Sequence, residues 1–202
     1  SSGQIQQRHP ETFSLYGFIF LLLRPMTNAN HKQADMATNA MQTANMKHKI
    51  LFVCLGNICR SSAAEEIMRT LIRRAGLEKD IRVDSAGILS YHQGELPDPR
   101  MRAHAARRGY TLTHRSRPVT TDDFYDFDLI IGMDDRNIDD LRDRAPGIEE
   151  EQKIRRMADY CRLKVVDYVP DPYYGGASGF ENVLDILEDA CTGLLEEMKN
   201  EK

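Results

Sequence analysis

The amino-acid sequence predicts an α/β fold, a three-layer sandwich in which a central four-stranded parallel sheet carries helices on both faces. Its 202 residues suffice for one domain with a substantial core, and 41% are hydrophobic and 29% charged, as in ordinary globular proteins. From Lys49 onward, short apolar runs alternate with segments of helical periodicity. This alternation is typical of an open parallel sheet covered by helices on both sides.

The first strand and the first helix follow each other closely. Ile50-Leu51-Phe52-Val53 is a continuous apolar run rich in strand formers, and it predicts a buried strand. Apolar residues then recur at helical spacing from 63 to 72, and Gly76 marks the end of the helix. Glu65 is expected on the opposite, polar side of this helix.

The later elements are predicted from their end signals and apolar runs. Asp98-Pro99 predicts an N-cap followed by proline at the first helical position, and Gly109 is expected to end that helix. Ser178-Gly179-Phe180-Glu181 predicts a capping box that opens the last helix. The other predicted elements are strands over 81–86, 128–133 and 163–166, and helices over 121–125 and 136–144.

The first 45 residues differ from the rest in composition. They are rich in Asn, Gln, Thr, Ala and Met and lack a periodic apolar pattern, so we expect a disordered N-terminal extension over 1–45 and a domain over 46–202. The apolar stretch 13–23 is too short to cross a bilayer, which takes roughly 20 residues. Arg24-Pro25 follow it without a small-residue cleavage pattern, which disfavours a signal peptide.

Charge and cysteine content argue against several classes of protein. Lys and Arg total 27 and Asp and Glu 31, so the net charge of −4 gives no case for binding nucleic acid or an anionic membrane. Cys54, Cys59, Cys161 and Cys191 are too few for a disulfide scaffold and fit no common zinc pattern. We therefore expect reduced thiols and a cytoplasmic location.

The segment 53–61, Val-Cys-Leu-Gly-Asn-Ile-Cys-Arg-Ser, lies between the first strand and the first helix. A loop there can turn successive N–H groups around an anion, and the helix adds its positive end. Gly56 is expected to supply a turn with positive φ. The same groups favour the thiolate of Cys54, and Arg60 can meet two phosphate oxygens at once. The segment therefore predicts a phosphate-binding loop with its own nucleophile.

A phosphate ester of a phenol also needs an acid for the leaving group. Asp171, in the segment 169–176 (Val-Pro-Asp-Pro-Tyr-Tyr-Gly-Gly), is the candidate. It follows the strand predicted over 163–166, which would place it at the same sheet edge as Cys54. Tyr173 and Tyr174 would wall a slot for an aromatic ring. Taken alone, the Asp-Pro pair would be an ordinary turn.

Together the two motifs resemble those of the low-molecular-weight protein tyrosine phosphatase family, and the resemblance runs from about residue 49 to 198. It implies that Cys54 attacks phosphorus to form a phosphocysteine, that Arg60 and the loop amides bind the phosphoryl oxygens, and that Asp171 protonates the phenolate. It further implies phosphotyrosine-containing proteins or peptides as substrates and inorganic phosphate as product. Neither a metal nor a cofactor is implied.

The resemblance also implies supporting roles. Ser61 would hydrogen-bond the Cys54 sulfur, and Asn57 would brace the loop with His114 as its partner. Some members carry Trp where this chain has Tyr91. The implied substrate-contacting set is Leu55, Gly56, Asn57, Ile58, Cys59, Ser61, Tyr91, Tyr173 and Tyr174.

Several alternatives stay open. Cys59 either forms a protective disulfide with Cys54 after oxidation, as the resemblance implies, or is a packed thiol. The same fold supports phosphoarginine hydrolysis, whose enzymes tend to carry Thr where this chain has Ile58. It also supports arsenate reduction, which needs further cysteines within reach, and Cys161 and Cys191 are expected to be packing residues. A phosphate-binding module without turnover is the non-enzymatic alternative.

Overall fold

A four-stranded parallel sheet forms the centre of the structure, a computed structural model that describes residues 46–200. Its strands are β1 (His48–Cys54), β2 (Ile81–Gly87), β3 (Leu129–Gly132) and β4 (Ile154–Arg156), in the order β2-β1-β3-β4. Every neighbouring pair is parallel. The predicted fold class is therefore confirmed.

Helices connect the strands and cover both faces of the sheet. The predicted N-cap is present, since the Asp98 carboxylate accepts a hydrogen bond from the Arg100 amide. A short 3₁₀ turn over Met157–Tyr160 follows β4. The helices are α1 (Arg60–Ala75), α2 (Pro99–Arg107), α3 (Thr121–Asp126), α4 (Asp135–Arg144), α5 (Ile148–Glu151) and α6 (Ala177–Asn200).

The central strand β1 serves two hydrophobic cores because successive side chains of a strand point to opposite faces. Ile50 and Phe52 join the core shared with α1 and α6, whereas Leu51 and Val53 join the core shared with α3 and α4. All four side chains are fully buried. The strand is thus held in place from both faces, and this also fixes the position of Cys54 at its carboxyl end.

The fourth strand does not lie where the sequence predicted it. The segment 163–166 is not a strand: Leu163 and Val165 are 88% and 103% exposed, and the backbone amides of 162–164 donate to the carboxylate of Asp189 on α6. The true β4 has three residues, of which Ile154 alone is buried. A strand this short at the sheet edge leaves no apolar run for sequence analysis to detect.

The capping box predicted for the last helix is also wrong. Helix α6 already begins at Ala177, and the Glu181 side chain turns to His104 and Arg108 from α2 and the residue after it. Further along, α6 passes so close to the 3₁₀ turn that a Cβ at Gly193 would lie 2.0 Å from the Tyr160 carbonyl oxygen. Both contacts fix α6 against neighbouring elements.

The N-terminal extension predicted over 1–45 lies outside the described residues, so the domain boundary at 46 stays a prediction. Among residues 46–200, no helix combines the length and apolar character needed to span a bilayer.

Candidate active site

A cleft of about 280 Å³ opens at the carboxyl end of β1. The loop that joins β1 to α1 forms its floor, and the loop that precedes α6 forms one wall. The cleft is lined by Cys54, Leu55, Gly56, Ile58, Cys59, Arg60, Leu89, Tyr91, His92, Asp171, Tyr173 and Tyr174. The two sequence motifs, more than 100 residues apart in the chain, therefore face the same space.

The floor of the cleft combines a sulfur with unused hydrogen-bond donors. Cys54 Sγ lies 3.1 Å from Ser61 Oγ at the base of the loop. Among residues 46–200, no hydrogen bond engages the backbone N–H groups of 55–60, and no side chain caps α1. The first turn of α1 contains no acidic residue, which would repel an anion. These donors and the positive helix end suit a bound oxyanion.

Asn57 holds the loop in its curled form. Its φ of 57° is the left-handed conformation, found at no other non-glycine position within 46–200. The Nδ2 group donates to the hydroxyls of Ser61 and Ser85 at 2.9 Å each, and Oδ1 accepts from His114 Nε2 and the Arg117 amide at 3.0 Å each. Every hydrogen-bonding position of a buried amide is thus used, which makes the loop conformation costly to change.

The predicted role of Gly56 in the turn is wrong. The positive φ belongs to Asn57, and Gly56 is not among the glycines with positive φ. A Cβ at this position would lie 3.2 Å from the His92 ring, so a larger residue would require the His92 side chain to shift slightly.

A buried carboxylate supports this network from behind. Glu65, predicted on the polar side of α1, is buried, accepts from Ser85 Oγ at 2.6 Å and lies 2.9 Å from His114 Nδ1. Burial alone would raise its pKa, but the contacts with His114, Ser85 and Arg69 hold the pKa below its usual value. The ionised Glu65 therefore orients His114, which in turn orients Asn57.

Arg60 lies buried at the far end of the loop, between two carboxylates. Its Nη1 donates to Asp134 at 2.5 Å and to the Val169 carbonyl at 3.0 Å, and its Nη2 donates to Asp171 at 3.0 Å. Burial alone would lower the pKa of Arg60, but Cys54 and the two carboxylates outweigh it and raise the pKa. The guanidinium is therefore held in place as a permanent cation facing the loop.

The loop that precedes α6, which forms one wall of the cleft, carries Asp171 and two tyrosines. The Asp171 side chain is partly exposed and accepts from the Tyr173 amide at 3.0 Å, in a tight turn. The rings of Tyr173 and Tyr174 pack edge to face with centroids 5.0 Å apart. Tyr91 and His92 also line the cleft, and Tyr91 is largely exposed. An aromatic side chain entering the cleft would therefore meet apolar ring surface.

A family comparison explains this combination of groups. The family model of the low molecular weight phosphotyrosine protein phosphatase matches residues 49–202, which include both loops. A relative from Synechocystis, whose name provisionally assigns the same activity, is 48% identical over 153 residues, covering 76% of this chain and 98% of that protein. YfkJ of Bacillus subtilis, named a low molecular weight protein-tyrosine-phosphatase, is 42% identical over 154 residues, covering 76% and 97%. The chain belongs to this family.

Solved structures of proteins named as phosphatases share the fold. The protein tyrosine phosphatase of Entamoeba histolytica, solved with Hepes in its active site, matches with a TM-score of 0.73 and 49% identity over 75% of this chain and 97% of that chain. A Drosophila arginine phosphatase matches with a TM-score of 0.71 and 33% identity over 76% and 99%. This chain therefore shares its fold both with a protein named a tyrosine phosphatase and with a protein named an arginine phosphatase.

Several site residues of this family member were missed by sequence analysis. Asp134 directly follows Met133, at the end of the strand predicted over 128–133, so the rule that ligands bind at the carboxyl ends of parallel strands could have found it. His92, Leu89 and Arg100 lie in or beside segments without regular structure, and no spacing in the sequence links them to the loop. Glu65 was missed because helical periodicity assigned it to the solvent side.

The four cysteines are unpaired in the structure. Burial and the neighbouring charges of Cys54, Asp98 and Asp171 raise the pKa of Cys59 well above that of a free thiol, so Cys59 is uncharged at neutral pH. Cys191 is fully buried, and its sulfur faces the Ala64 carbonyl oxygen at 3.6 Å. Cys161 is partly buried and lies outside the cleft lining.

One group of side chains has the composition of a metal site. Ligand atoms of Glu65, Asp84 and His114 all lie within 4.8 Å of one another. Glu65 already bonds Ser85 and Arg69, and Asp84 bonds Arg117 at 2.9 Å. A metal ion would have to break these contacts, so the group is better described as the electrostatic support of Asn57.

Proposed function

We propose that the protein is a protein tyrosine phosphatase that hydrolyses phosphotyrosine in proteins or peptides, and small aryl phosphates, through a phosphocysteine intermediate. One observation carries the proposal. Cys54 Sγ lies at the base of a curled loop with free N–H donors, and Arg60 and Asp171 border the same cleft. The nucleophile, the anion site and the acid are thus within reach of a single phosphate ester.

In the first step, the Cys54 sulfur attacks phosphorus, a P–S bond forms and the bond to the phenolic oxygen breaks. The loop amides and Arg60 hold the three non-bridging oxygens, which carry most of the charge in a phosphoryl-transfer transition state. Asp171 gives its proton to the departing phenolate. Ser61, beside the sulfur, stabilises its negative charge.

In the second step, water attacks the phosphocysteine. Asp171, now ionised, takes a proton from the water as the P–S bond breaks, and inorganic phosphate leaves. Arg60 binds Asp171 and Asp134 in the structure. A bound phosphoryl group competes for the same guanidinium, so we expect substrate to draw Arg60 away from Asp171 and free the acid for the leaving oxygen.

The size and lining of the cleft favour an aryl ester. Ile58, Leu55 and Leu89 present apolar surface, and Tyr173 and Tyr174 wall the entrance. Because the phosphoserine side chain is much shorter than that of phosphotyrosine, we expect it to bring its phosphate to the floor of the cleft less readily. We also propose a cytoplasmic location, because the catalytic thiol and its neighbour Cys59 have to stay reduced.

Kinetics on matched phosphopeptides test this function. We expect hydrolysis of the phosphotyrosine peptide, unchanged by a chelator, and no comparable rate for the phosphoserine form of the same sequence. A phosphoarginine peptide is the third substrate, because a structural neighbour is named an arginine phosphatase. A higher kcat/KM for phosphoarginine, or loss of activity with the chelator, would contradict the proposal.

A further inference from the structure

Arg100, in the first turn of α2, contacts the loop that carries Asp171 and is linked through Asp98 to the loop that carries Cys54, although it does not line the cleft. We propose that Arg100 is a positioning residue that ties the acid-bearing loop (residues 169–176) to the phosphate-binding loop (residues 54–61) and thereby places Asp171 for proton transfer. This inference rests on the proposed phosphatase function.

The first half of the tie joins Arg100 to the phosphate-binding loop through Asp98. The Asp98 amide donates to the Ile58 carbonyl at 2.8 Å, so the start of α2 is fixed to that loop. The guanidinium forms a fork on the Asp98 carboxylate, with Nε to Oδ1 at 3.0 Å and Nη2 to Oδ2 at 2.8 Å. Two parallel bonds define the plane of the guanidinium as well as its position.

The second half joins Arg100 to the acid-bearing loop through Tyr173. Nη1 donates to the Tyr173 carbonyl at 3.1 Å, and the guanidinium lies over the Tyr173 ring at 5.3 Å from its centroid. The amide of the same tyrosine donates to the Asp171 carboxylate. Moving the Tyr173 backbone therefore moves the acid.

A third contact keeps the guanidinium from swinging away. It also lies over the Phe180 ring, 5.0 Å from the centroid. Phe180 is buried at the start of α6 and stacks on His104, with ring centroids 5.4 Å apart. The guanidinium plane is thus set by a carboxylate and two rings, an arrangement that the point charge of lysine does not reproduce.

The acid-bearing loop has few other attachments. Among residues 46–200, hydrogen bonds from outside the loop reach its stretch 170–175 at two places, Arg60 to Asp171 and Arg100 to Tyr173. In the proposed reaction the substrate phosphate takes over Arg60. Among the described residues, Arg100 is then the remaining hydrogen-bond partner from outside the loop for the stretch 170–175, while Asp171 delivers its proton to the phenolic oxygen.

The test compares kcat/KM for two aryl phosphates that differ in how much they need the acid. A nitrophenyl phosphate has a good leaving group, whereas phenyl phosphate releases a phenol with a pKa near that of tyrosine, about 10. We expect Arg100→Ala to lower kcat/KM about tenfold for phenyl phosphate and at most about twofold for the nitrophenyl ester, because only the first depends strongly on the acid. Arg100→Lys should recover less than half of the loss.

Two controls locate the effect. Arg102→Ala removes an exposed arginine from the same helix and should leave both rates unchanged. In an Asp171→Asn background, Arg100→Ala should cause no further loss specific to phenyl phosphate, because the acid through which it acts is gone. Equal losses on both esters, full recovery by lysine, or a specific loss that persists without Asp171 would each overturn the inference.

Hydrogen exchange gives a readout that needs no catalysis. In Arg100→Ala, the amides of Tyr173 and Gly175 should exchange at least about fivefold faster, while the protection of β1 stays as in the parent protein. Unchanged exchange at both amides would contradict the tie. If the parent protein hydrolyses neither ester, the proposed function is wrong. Hydrogen exchange would still test whether Arg100 holds the acid-bearing loop to the phosphate-binding loop.

Discussion

The two loops that face each other across the cleft are built in opposite ways. The phosphate-binding loop is largely buried, and Asn57 alone makes four hydrogen bonds to groups on β2, on α1 and in the segment 114–117. The acid-bearing loop lies at the surface, with Tyr174 95% exposed, and hydrogen bonds from two arginines elsewhere in the described residues hold its stretch 170–175.

This difference follows from what each loop has to do. Stabilising a developing anion requires donors that are already in place, since reorganising them during the reaction would cost the energy that they provide. In the proposed mechanism the acid, Asp171, has to exchange partners, from Arg60 to the leaving oxygen and later to water. A lightly tied loop permits this exchange, and a fully bonded one would resist it.

The largest expected effect tests the buried loop. Cys54→Ser should lower kcat by at least about 10⁴-fold, because a hydroxyl at this place is a far weaker nucleophile than a thiolate. Steady-state kinetics on an aryl phosphate measures it. Cys161→Ser, which changes a partly buried thiol outside the cleft, is the matched control and should keep full activity. Comparable rates for Cys54→Ser and the parent protein would remove the nucleophile from the mechanism.

The second effect tests the exposed loop. Asp171→Asn should reduce kcat/KM for phenyl phosphate by about 10²–10³-fold, the usual contribution of a general acid, and much less for a nitrophenyl ester. Its melting temperature should stay close to that of the parent, since the side chain is partly exposed. A large loss of stability would mean that the two loops are not built as differently as described.

The third effect separates hydrogen bonds from backbone strain in the buried loop. Asn57→Ala should lower the free energy of unfolding by about 2–4 kcal/mol, because it leaves several buried partners unsatisfied, and should lower kcat about tenfold. Asn57→Gly accepts the left-handed backbone but also loses the side-chain bonds. Denaturant unfolding of both variants decides between the causes. If glycine restores the stability, the conformation rather than the hydrogen bonds is limiting.

The smallest effect concerns the helix that follows the exposed loop. Hydrogen bonds from His104 and Arg108 lower the pKa of Glu181 on α6 to about 2. This pKa lies below that of an unfolded glutamate, about 4.3. The stability contributed by Glu181 is therefore fully present above about pH 4.3 and is lost as the pH falls towards 2. Urea unfolding at pH 6 and pH 3 should therefore show a smaller pH difference for Glu181→Gln than for the parent. An unchanged difference would show that this carboxylate does not anchor α6.

The sequence predicted the buried loop and its place in the fold for local reasons. An apolar strand, a Cys-to-Arg segment and an amphipathic helix follow one another in the chain, so their arrangement in space is nearly determined by their order. The acid-bearing loop was placed by a strand over 163–166 that does not exist. Asp171 still reaches the cleft, because the Val169 amide donates to the Met133 carbonyl just after β3, which brings the loop to the same sheet edge.

What sequence analysis could not supply are contacts between side chains distant in the chain. The arginine-to-carboxylate pair of Arg60 and Asp134 spans 74 positions, and Arg100 and Tyr173 are 73 positions apart. Periodicity also failed for Glu65, because a helix side that faces a polar network has the same spacing as one that faces solvent. The left-handed backbone conformation was predicted for Gly56 because glycine adopts it most easily. In the structure Asn57 adopts this conformation, and its four side-chain hydrogen bonds stabilise it there.

The close passage of α6 over the 3₁₀ turn leaves position 193 no freedom to vary. Even the methyl group of alanine would overlap the Tyr160 carbonyl oxygen, and the helix cannot retreat without opening the core beneath it. In a saturation library sorted for folded protein, we expect glycine alone to survive there. A position outside the cleft would thus tolerate as little replacement as the proposed nucleophile.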